Sequence, residues 1–323
     1  MNDGKTTNDP ADLACILRGL PAAVSEAVRA AAPEDQQVTE IRLRAGRVST
    51  LTLSDGGNTV LKDRSGTVLS ITAGDIRDAL LFLSGGSVYA HRDTLRSGFI
   101  TCRSVRTGIG GRAAVESGNV RTLSAPTSLC IRIPADTETV SSLLRLPTVR
   151  RAAAQIAAKR SEGGALIFSV PGGGKTTLLK ALTILLSDCT RQAKKCLRTV
   201  IIDTRGELYT EKLMKNCAVD VLEGYPPAAG IETAVRSLSP ELIVCDEIGS
   251  ERDAEAMLAA LNSGTAFLSS AHAPDAKTLY RRPAVRRMLE GNVYSLLIGI
   301  SGPPAYSITV TNADGSVPED QTV

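Results

Sequence analysis

The order of apolar and polar residues divides the chain into two parts. In the first part, residues 39–53 alternate apolar and polar side chains around a glycine, and a second turn follows at residues 56–58. This pattern is typical of a small antiparallel sheet. Residues 72–83 differ, because Thr72 and Asp75 form a helix-capping pattern and apolar side chains then follow at helical spacing.

Further strands are predicted near the end of the first part. Residues 98–102 and 128–133 have the pattern of strands, and a glycine-rich stretch lies between them at residues 107–112. A polar connection and an alanine-rich helix then occupy residues 135–160. We therefore expect a smaller α+β N-terminal domain over residues 1–140, followed by an interdomain segment.

The second part alternates continuous apolar strands with helices. Four strands are predicted, at residues 165–170, 200–203, 242–247 and 266–272, and helices follow Lys175, begin at Gly230 and follow Ser250. Apolar strands that alternate with helices indicate a parallel sheet covered on both faces. The sequence thus predicts an α/β domain over residues 141–323.

Composition narrows the class of protein. The 323 residues are enough for two domains, and 43% hydrophobic with 22% charged residues is ordinary for a soluble globular protein. The net charge of +3 is too small by itself to indicate binding to nucleic acid or anionic lipid. The first ten residues lack the apolar core of a signal peptide, and nowhere do eighteen uncharged apolar residues run together. We expect a cytoplasmic protein that associates at most with the periphery of a membrane.

The cysteines add no chemistry to this picture. The seven of them form no C-x-x-C pair and show neither the spacing of a zinc site nor that of a disulfide framework. We interpret them as small buried hydrophobic residues in a reducing compartment.

A glycine-rich segment with a lysine follows the first strand of the second part. Residues 169–177 are SVPGGGKTT, and a helix with a leucine-rich face comes next. In this context the loop N–H groups and the helix N-terminus are predicted to wrap the phosphates of ATP, with Lys175 on the β and γ oxygens and Thr176 on Mg²⁺. Ser169 replaces the first glycine of the motif, a place where a small residue can often serve. The alternative is a glycine-rich turn with an incidental lysine. The predicted nucleotide-binding residues are Pro171, Gly172, Gly173, Gly174, Lys175, Thr176 and Thr177.

Two acids end the strand at residues 242–247. In P-loop enzymes an aspartate at this place holds the water shell of Mg²⁺, and a following carboxylate can polarise the attacking water. We assign Asp246 to the first role and Glu247 to the second. The alternative is that both carboxylates only cap the strand.

Two other strand ends carry candidate catalytic groups. Asp203 ends the strand at residues 200–203, with Arg205 and Glu207 after it, and could supply a second carboxylate at the phosphates. An ordinary charged exit from the strand explains these residues equally well. His272, at the end of residues 266–272, could sense or polarise the γ-phosphate, although a histidine at a strand end also serves packing.

Arginines concentrate in two segments. Residues 103–132 contain five of them against the single acid Glu116. These arginines could reach the nucleotide of a neighbouring subunit, bind nucleic acid, or form a solvated face without a role. A second cluster at residues 281–287 is open to the same interpretations.

The chain resembles the stage III sporulation protein AA family, relatives of the secretion-superfamily ATPases of type II and type IV machines. The long block at residues 221–249 is far more specific than a P-loop. The resemblance spans nearly the whole chain and rests on TEIRLRAGR (39–47), SGFIT (97–101), GIGGRAAVESG (108–118), PGGGKTT (171–177), VLEGYPPAAGIETAVRSLSPELIVCDEIG (221–249) and SSAHA (269–273).

The resemblance implies a RecA-like P-loop ATPase domain behind a smaller N-terminal domain. It also implies a hexameric ring and a role, on the mother-cell side, at the channel that links mother cell and forespore during endospore formation. Residue by residue, it implies phosphate and metal contacts for Lys175 and Thr176, the Walker B position for Asp246 and Glu247, the His-box position for His272, and arginines that act in trans for Arg106 and Arg112.

The sequence departs from the family pattern in two places. Thr204 stands where the family tends to have an acid, which shifts the expected base toward Glu247. Residues 103–108 are RSVRTG where the family tends to have a Gly-Gly-His-Arg-Val-Gly run, although Arg106 and Arg112 keep their places.

Three functional hypotheses follow. The first is an ATP-hydrolysing motor or assembly ATPase that works on integral membrane components. The second is an ATP-binding scaffold with little turnover, which Thr204 keeps open. The third is an ATPase acting on DNA or RNA, which residues 103–132 permit, although few aromatic residues accompany the arginines for base stacking.

Overall fold

The structure is a computed structural model, and the chain divides into two compact units, residues 1–135 and 136–323. Residue 140, the last residue of the expected N-terminal domain, lies in the first helix of the second unit. The described residues are 13–33, 38–53, 56–87, 98–102, 105–116, 119–133, 137–190, 196–302 and 306–316.

The N-terminal unit contains a six-stranded antiparallel sheet in the order β3-β2-β1-β6-β5-β4. Helices accompany the sheet in the part of this unit that the structure describes, so the predicted α+β composition is confirmed. The strands are β1 (Val38–Arg44), β2 (Thr50–Leu53), β3 (Asn58–Val60), β4 (Phe99–Cys102), β5 (Val105–Glu116) and β6 (Asn119–Arg132), and the helices are α1 (Leu13–Arg18), α2 (Ala22–Ala31) and α3 (Ala73–Leu83).

The helix-capping pattern before α3 forms as predicted. The Thr72 side chain accepts a hydrogen bond from the Asp75 backbone N–H at 3.1 Å, and the Asp75 carboxylate accepts one from the Thr72 backbone N–H at 2.8 Å. The buried face of α3, which includes Ile76 and Leu80, shares one core with Ile41 of β1. Helical spacing in the sequence therefore identified the face that packs on the sheet.

The glycine-rich stretch at residues 107–112 lies inside strand β5. Its pairing with β6 shifts register between Gly110 and Gly111. A Cβ atom on Gly111 would clash with the backbone of Ala125, so glycine permits the close approach of the two strands at this bulge. From Gly110 onward β5 is exposed.

The second unit contains a seven-stranded sheet in the order β13-β12-β7-β11-β10-β8-β9. Neighbouring strands are parallel except for the antiparallel pair β12 and β13. The strands are β7 (Gly164–Ser169), β8 (Thr199–Asp203), β9 (Val219–Glu223), β10 (Leu242–Cys245), β11 (Ala266–His272), β12 (Tyr294–Ser301) and β13 (Ser307–Asn312). The helices are α4 (Thr137–Arg145), α5 (Pro147–Lys159), α6 (Lys175–Ser187), α7 (Glu211–Met214), α8 (Pro227–Ser237), α9 (Glu251–Leu261), α10 (Ala276–Tyr280) and α11 (Pro283–Glu290).

Helices cover both faces of this sheet, as the continuous apolar strands predict. Residues of α4, α5 and α6 form the core on one face, and residues of α8, α9 and α11 form the core on the other. The four predicted strands are present, whereas β9, β12 and β13 were not predicted. Residues 137–145, expected as a polar connection, form helix α4.

The strand order determines where the site lies. Strand β11 separates β7 from β10, and Ser169 at the end of β7 pairs with His272 at the end of β11. Cys245 at the end of β10 pairs with Ser269 of β11 and with Ile202 of β8. The carboxyl ends of four parallel strands therefore meet at one edge, which is where open α/β sheets bind ligands.

The expectation that all cysteines are unpaired was wrong. Cys189 and Cys196 form a disulfide. A spacing of seven residues carried no recognisable signal in the sequence. Cys245 is buried, as expected, whereas Cys15, Cys130 and Cys217 are only partly buried.

None of the helices in the part of the chain that the structure describes is long and apolar enough to cross a bilayer.

Candidate nucleotide-binding site

The loop between β7 and α6 has the backbone conformation that a phosphate loop requires. Gly172 and Gly174 have φ of +76° and +93°, values that side-chain-bearing residues rarely adopt. A Cβ atom on Gly173 would lie 2.6 Å from the Ser169 hydroxyl oxygen. Glycine is thus needed at all three positions. Gly174 is the N-cap residue of α6, at the end of the helix where the first backbone N–H groups have no partner within the helix.

Lys175 is the first residue of α6 and only 7% of it is exposed. Its Nζ donates to the carbonyl oxygens of Ser169 at 3.4 Å and of Val170 at 3.2 Å, and lies 3.3 Å from the Ser169 hydroxyl. Burial lowers the pKa of Lys175, and the charges of Asp246 and Glu247 oppose this shift. The ammonium group of Lys175 is therefore held by the backbone carbonyls of Ser169 and Val170, where the loop begins.

Asp246 follows β10 and faces the start of α6. Its Oδ2 accepts a hydrogen bond from the Thr176 hydroxyl at 3.2 Å, and its Oδ1 accepts one from the Ser270 hydroxyl. Two elements separated by seventy residues therefore place a hydroxyl and a carboxylate side by side. These are the hard oxygen donors that Mg²⁺ prefers.

Glu247 has a backbone conformation that is rare for a residue with a side chain, with φ of +49°. Its backbone N–H donates to the Ser270 hydroxyl at 3.2 Å, and the N–H of Ile248 donates to the Ser270 carbonyl at 3.0 Å. Such conformations cost about 1–3 kcal/mol and persist where neighbouring contacts impose them. Here β11 fixes the turn that directs the Glu247 side chain.

His272 joins Lys175 to Glu247. Its Nδ1 lies 2.9 Å from Lys175 Nζ, and its Nε2 lies 3.3 Å from Glu247 Oε1. Because an ammonium only donates hydrogen bonds, Nδ1 is the acceptor of this contact. A neutral imidazole then carries its hydrogen on Nε2, which can donate a hydrogen bond to Glu247. The two ends of the imidazole thus contact the loop lysine and the acid after β10.

Asp203 at the end of β8 organises the loop that follows it. Its carboxylate accepts backbone N–H groups of Glu207, Leu208 and Tyr209, each at 2.9 Å. Both oxygens are engaged in these bonds, and the residue is buried. Asp203 therefore stabilises the conformation of the loop that follows β8.

Lys180 lies on α6, one turn after Thr176. It is buried and donates to the Thr210 hydroxyl at 3.3 Å. Burial lowers the pKa of Lys180, and the carboxylates of Asp203 and Glu207 oppose this shift. Glu207 thus contributes negative charge near a buried lysine at the side of the site.

A cleft of 380 Å³ opens beside the two acids. Arg205, Asp246 and Glu247 line it, together with residues at the N-terminal ends of α8 and α9. Arg205 Nη2 forms an ion pair with Glu247 Oε2. The acid that the sequence marks as the base therefore contacts Arg205 through one oxygen and His272 through the other.

The remaining candidate arginines lie in other parts of the chain. Arg106 and Arg112 are on β5 of the N-terminal unit, and the guanidinium of Arg106 stacks over the Phe99 ring at 4.4 Å from its centroid. Arg282, from the second cluster, donates to the carbonyl of His272 at 3.1 Å. That arginine supports the strand end that carries the histidine.

Two contributing residues escaped prediction from the sequence. Ser270 contacts Asp246 and the backbone of Glu247, and its only sequence signal is a hydroxyl in the apolar run at residues 266–272. Arg205 was noted only as a neighbour of Asp203. Its ion pair with Glu247 depends on β8 and β10 being adjacent, which the sequence does not specify.

The residues of this edge fit ATP and Mg²⁺. The glycine loop offers backbone N–H groups, and added Cβ atoms on Gly173 or Gly174 would meet neighbouring atoms at 2.6 Å. The oxygen pair from Thr176 and Asp246 matches the donor set for Mg²⁺. The arrangement combines a glycine loop at a helix N-terminus, an oxygen pair of the kind that binds Mg²⁺ and a carboxylate at the edge of the cleft.

Solved structures share this fold. The ATPase DotB of Legionella pneumophila is 17% identical with a TM-score of 0.53, and the alignment covers 84% of this chain and 75% of DotB. The pilus retraction motor PilT, solved with bound ADP, is 16% identical with a TM-score of 0.56, over 90% of this chain and 81% of PilT. The fold is thus that of a RecA-like P-loop ATPase domain with a smaller α+β N-terminal domain, as predicted.

Sequence comparisons identify the family. The model of the family described as Sporulation stage III, protein AA matches residues 14–316. Stage III sporulation protein AA of Bacillus subtilis (strain 168) is 31% identical over 313 residues, which are 94% of this chain and 96% of that protein. The resemblance seen in the sequence is confirmed: the chain belongs to the Sporulation stage III, protein AA family.

Proposed function

We propose that this protein hydrolyses ATP and uses the energy as a motor or assembly ATPase of a sporulation-specific channel between mother cell and forespore. The observation that carries the proposal is the continuous set of contacts from Lys175 through His272 to Glu247 at the carboxyl edge of the sheet. A phosphate-binding lysine and a carboxylate base would then respond to the same γ-phosphate. Membership of the sporulation family and the fold shared with DotB and PilT support the role.

The phosphate loop would bind the nucleotide. Residues 171–177 would supply N–H groups and the N-terminus of α6 to the phosphates, and Lys175 would exchange its contacts with loop carbonyls for phosphate oxygens. Thr176 and Asp246 would hold Mg²⁺, which when bound neutralises charge on the β- and γ-phosphates. The existing Thr176–Asp246 contact keeps both oxygen donors together before a ligand arrives.

Glu247 would act as the general base. Its carboxylate would polarise the attacking water, and the Ser270 contacts would keep its backbone in the required turn. His272 would report the state of Lys175 to Glu247 through its two nitrogens. Asp203 and Glu207 would take part indirectly, by holding the loop after β8 and by balancing the charge of Lys180.

The assembled form would be a homo-oligomer, with a hexamer as the specific expectation. Arg106 and Arg112 would act in trans on the nucleotide of a neighbouring subunit, since a guanidinium stabilises transferring phosphate. The partners would be integral membrane components of the channel. The motor would then work from the cytoplasm of the mother cell, peripheral to the membrane.

Steady-state hydrolysis and nucleotide binding together test the proposal. Glu247→Gln should lower kcat at least about 100-fold while it still binds a fluorescent ATP analogue, because it loses the base and keeps the cradle. Lys175→Ala should lose binding of the analogue. The ATP-trapped Glu247→Gln protein should sediment as a ring.

Two results would favour the other hypotheses. A wild-type protein that forms rings with ATP but turns over no faster than Glu247→Gln would be a scaffold, which agrees with the absence of a carboxylate at Thr204. Salt-dependent binding of DNA or RNA, with matching stimulation of hydrolysis, would make it a nucleic-acid-dependent ATPase.

A further inference from the structure

The loop after β8 delivers an arginine to the candidate base. Three backbone hydrogen bonds to Asp203 fold residues 204–209 back over the strand end, and Arg205 lies at the start of this loop. Strand β8 pairs in register with β10, with Ile202 opposite Cys245. The residues that leave both strands therefore share one edge, and Arg205 reaches Glu247.

The contact with Arg205 occupies a defined part of the carboxylate. Arg205 Nη2 pairs with Oε2 of Glu247, while His272 Nε2 lies 3.3 Å from Oε1. The side chains of Arg205 and Glu247 are 38% and 33% exposed, and both line the 380 Å³ cleft. Two donors from two different strand ends thus fix the direction of the carboxylate, and the cleft leaves it accessible to water.

The direction of the Glu247 carboxylate has to be fixed by side-chain contacts, because the backbone of Glu247 alone does not fix it. Its positive φ makes the turn strained, and the adjacent Asp246 repels it as a like charge. His272 contacts the same carboxylate, but it also contacts Lys175, and both of these residues would respond to the phosphates of ATP. Arg205 comes from the opposite side, because β8 and β11 flank β10, and its guanidinium is always charged and contacts Oε2 through Nη2.

We propose that Arg205 is a positioning residue for Glu247, which it holds by Oε2 so that the carboxylate stays at the cleft where the attacking water would bind. This role rests on the proposed ATP hydrolysis. The proton removed from water would pass to Glu247 and not to Arg205, because a guanidinium stays protonated. Arg205 therefore acts on the rate only through Glu247.

Kinetics of paired variants test this role. Arg205→Gln should lower kcat about tenfold or more and leave KM within about twofold, because ATP binding depends on the phosphate loop and not on Arg205. Arg205→Lys should recover part of the rate, since it restores the charge but not the planar shape of the guanidinium group. In the Glu247→Gln background, Arg205→Gln should change the residual rate less than about twofold, because the group it positions is already gone.

A matched control comes from the opposite end of the same strand. Arg198 precedes β8 and also pairs with a glutamate, Glu241, at 3.5 Å. Arg198→Gln removes a guanidinium–carboxylate pair far from the phosphate loop, and it should leave kcat unchanged. Thermal unfolding of all variants shows whether any of them loses the fold.

The possible outcomes separate this inference from the proposed function. If the wild-type protein hydrolyses ATP and Arg205→Gln is equally fast or faster, the positioning role is overturned and the proposed function stands. Equal losses from Arg205→Gln in the wild-type and Glu247→Gln backgrounds would also overturn it, since they would indicate a general structural effect. A wild-type protein that binds the ATP analogue without hydrolysing it would overturn the proposed function, and the role of Arg205 with it.

Discussion

Lys175 Nζ and His272 Nδ1 lie 2.9 Å apart, although 97 residues separate them in the chain. The register of β7 and β11, which pairs Ser169 with His272, creates this contact. The other nitrogen of the imidazole faces Glu247. The His272 imidazole therefore connects the phosphate-loop lysine to Glu247, the candidate base.

The first prediction concerns this imidazole. His272→Ala should lower kcat about 10- to 100-fold with a smaller effect on ATP binding, because it disconnects Lys175 from Glu247 and leaves the loop glycines intact. His272→Gln, whose amide can accept and donate, should retain more activity than His272→Ala. If the two variants lose ATP binding and rate in parallel, His272 serves the cradle and not the base.

The second prediction concerns Gly174. Gly174→Ala should weaken binding of the ATP analogue at least about tenfold, because φ is +93° and the new Cβ would lie 2.6 Å from Tyr306 Cε1. Gly264→Ala is the control, since φ is +73° and no atom lies within 4 Å of its Cβ. The positive φ should cost both variants about 1–2 kcal/mol of unfolding free energy, Gly174→Ala should lose more because Tyr306 must shift, and only Gly174→Ala should lose binding. Equal affinities would contradict the prediction.

Patterns within single elements predicted much of this fold. Features that depend on neighbours in the chain formed as expected. They are the capping pair Thr72 and Asp75, the apolar strands β7, β8, β10 and β11, and the glycine loop. The pairing of Arg205 with Glu247 and of Ser270 with Asp246 depends on strand order. No local pattern encodes that order, which is why the family resemblance and not periodicity indicated a RecA-like sheet.

The third prediction concerns stability at acid pH. Hydrogen bonding from Arg160, at 2.6 Å, lowers the pKa of Glu241 below 4.5, against partial desolvation. The unfolded chain therefore takes up this proton first as pH falls. Glu241→Gln should reduce the unfolding free energy by about 1 kcal/mol at pH 7. The difference from wild type should shrink as pH falls from 4.5 through the lowered value.

The control for this ion pair is Glu290. It lies 3.7 Å from Arg286 on α11, and its side chain is 71% exposed. Exposed pairs of this kind contribute little, so Glu290→Gln should change the unfolding free energy by less than about 0.5 kcal/mol. Urea titrations at several pH values measure both variants. A pH-independent loss in Glu241→Gln would show that packing, and not charge, is responsible.

The fourth prediction concerns the disulfide between Cys189 and Cys196. Because the bond closes a loop with a sequence separation of seven residues, Cys189→Ala with Cys196→Ala should cost about 2.5 kcal/mol of unfolding free energy through a less restricted unfolded chain. In excess reductant the wild-type protein should lose the same amount and match the variant. Cys15→Ala, a change at a partly buried thiol outside the disulfide, should lose as much stability in reductant as the wild-type protein does, because it keeps Cys189 and Cys196. Peptide mapping that finds Cys189 and Cys196 alkylated in the non-reduced protein would contradict the pairing itself.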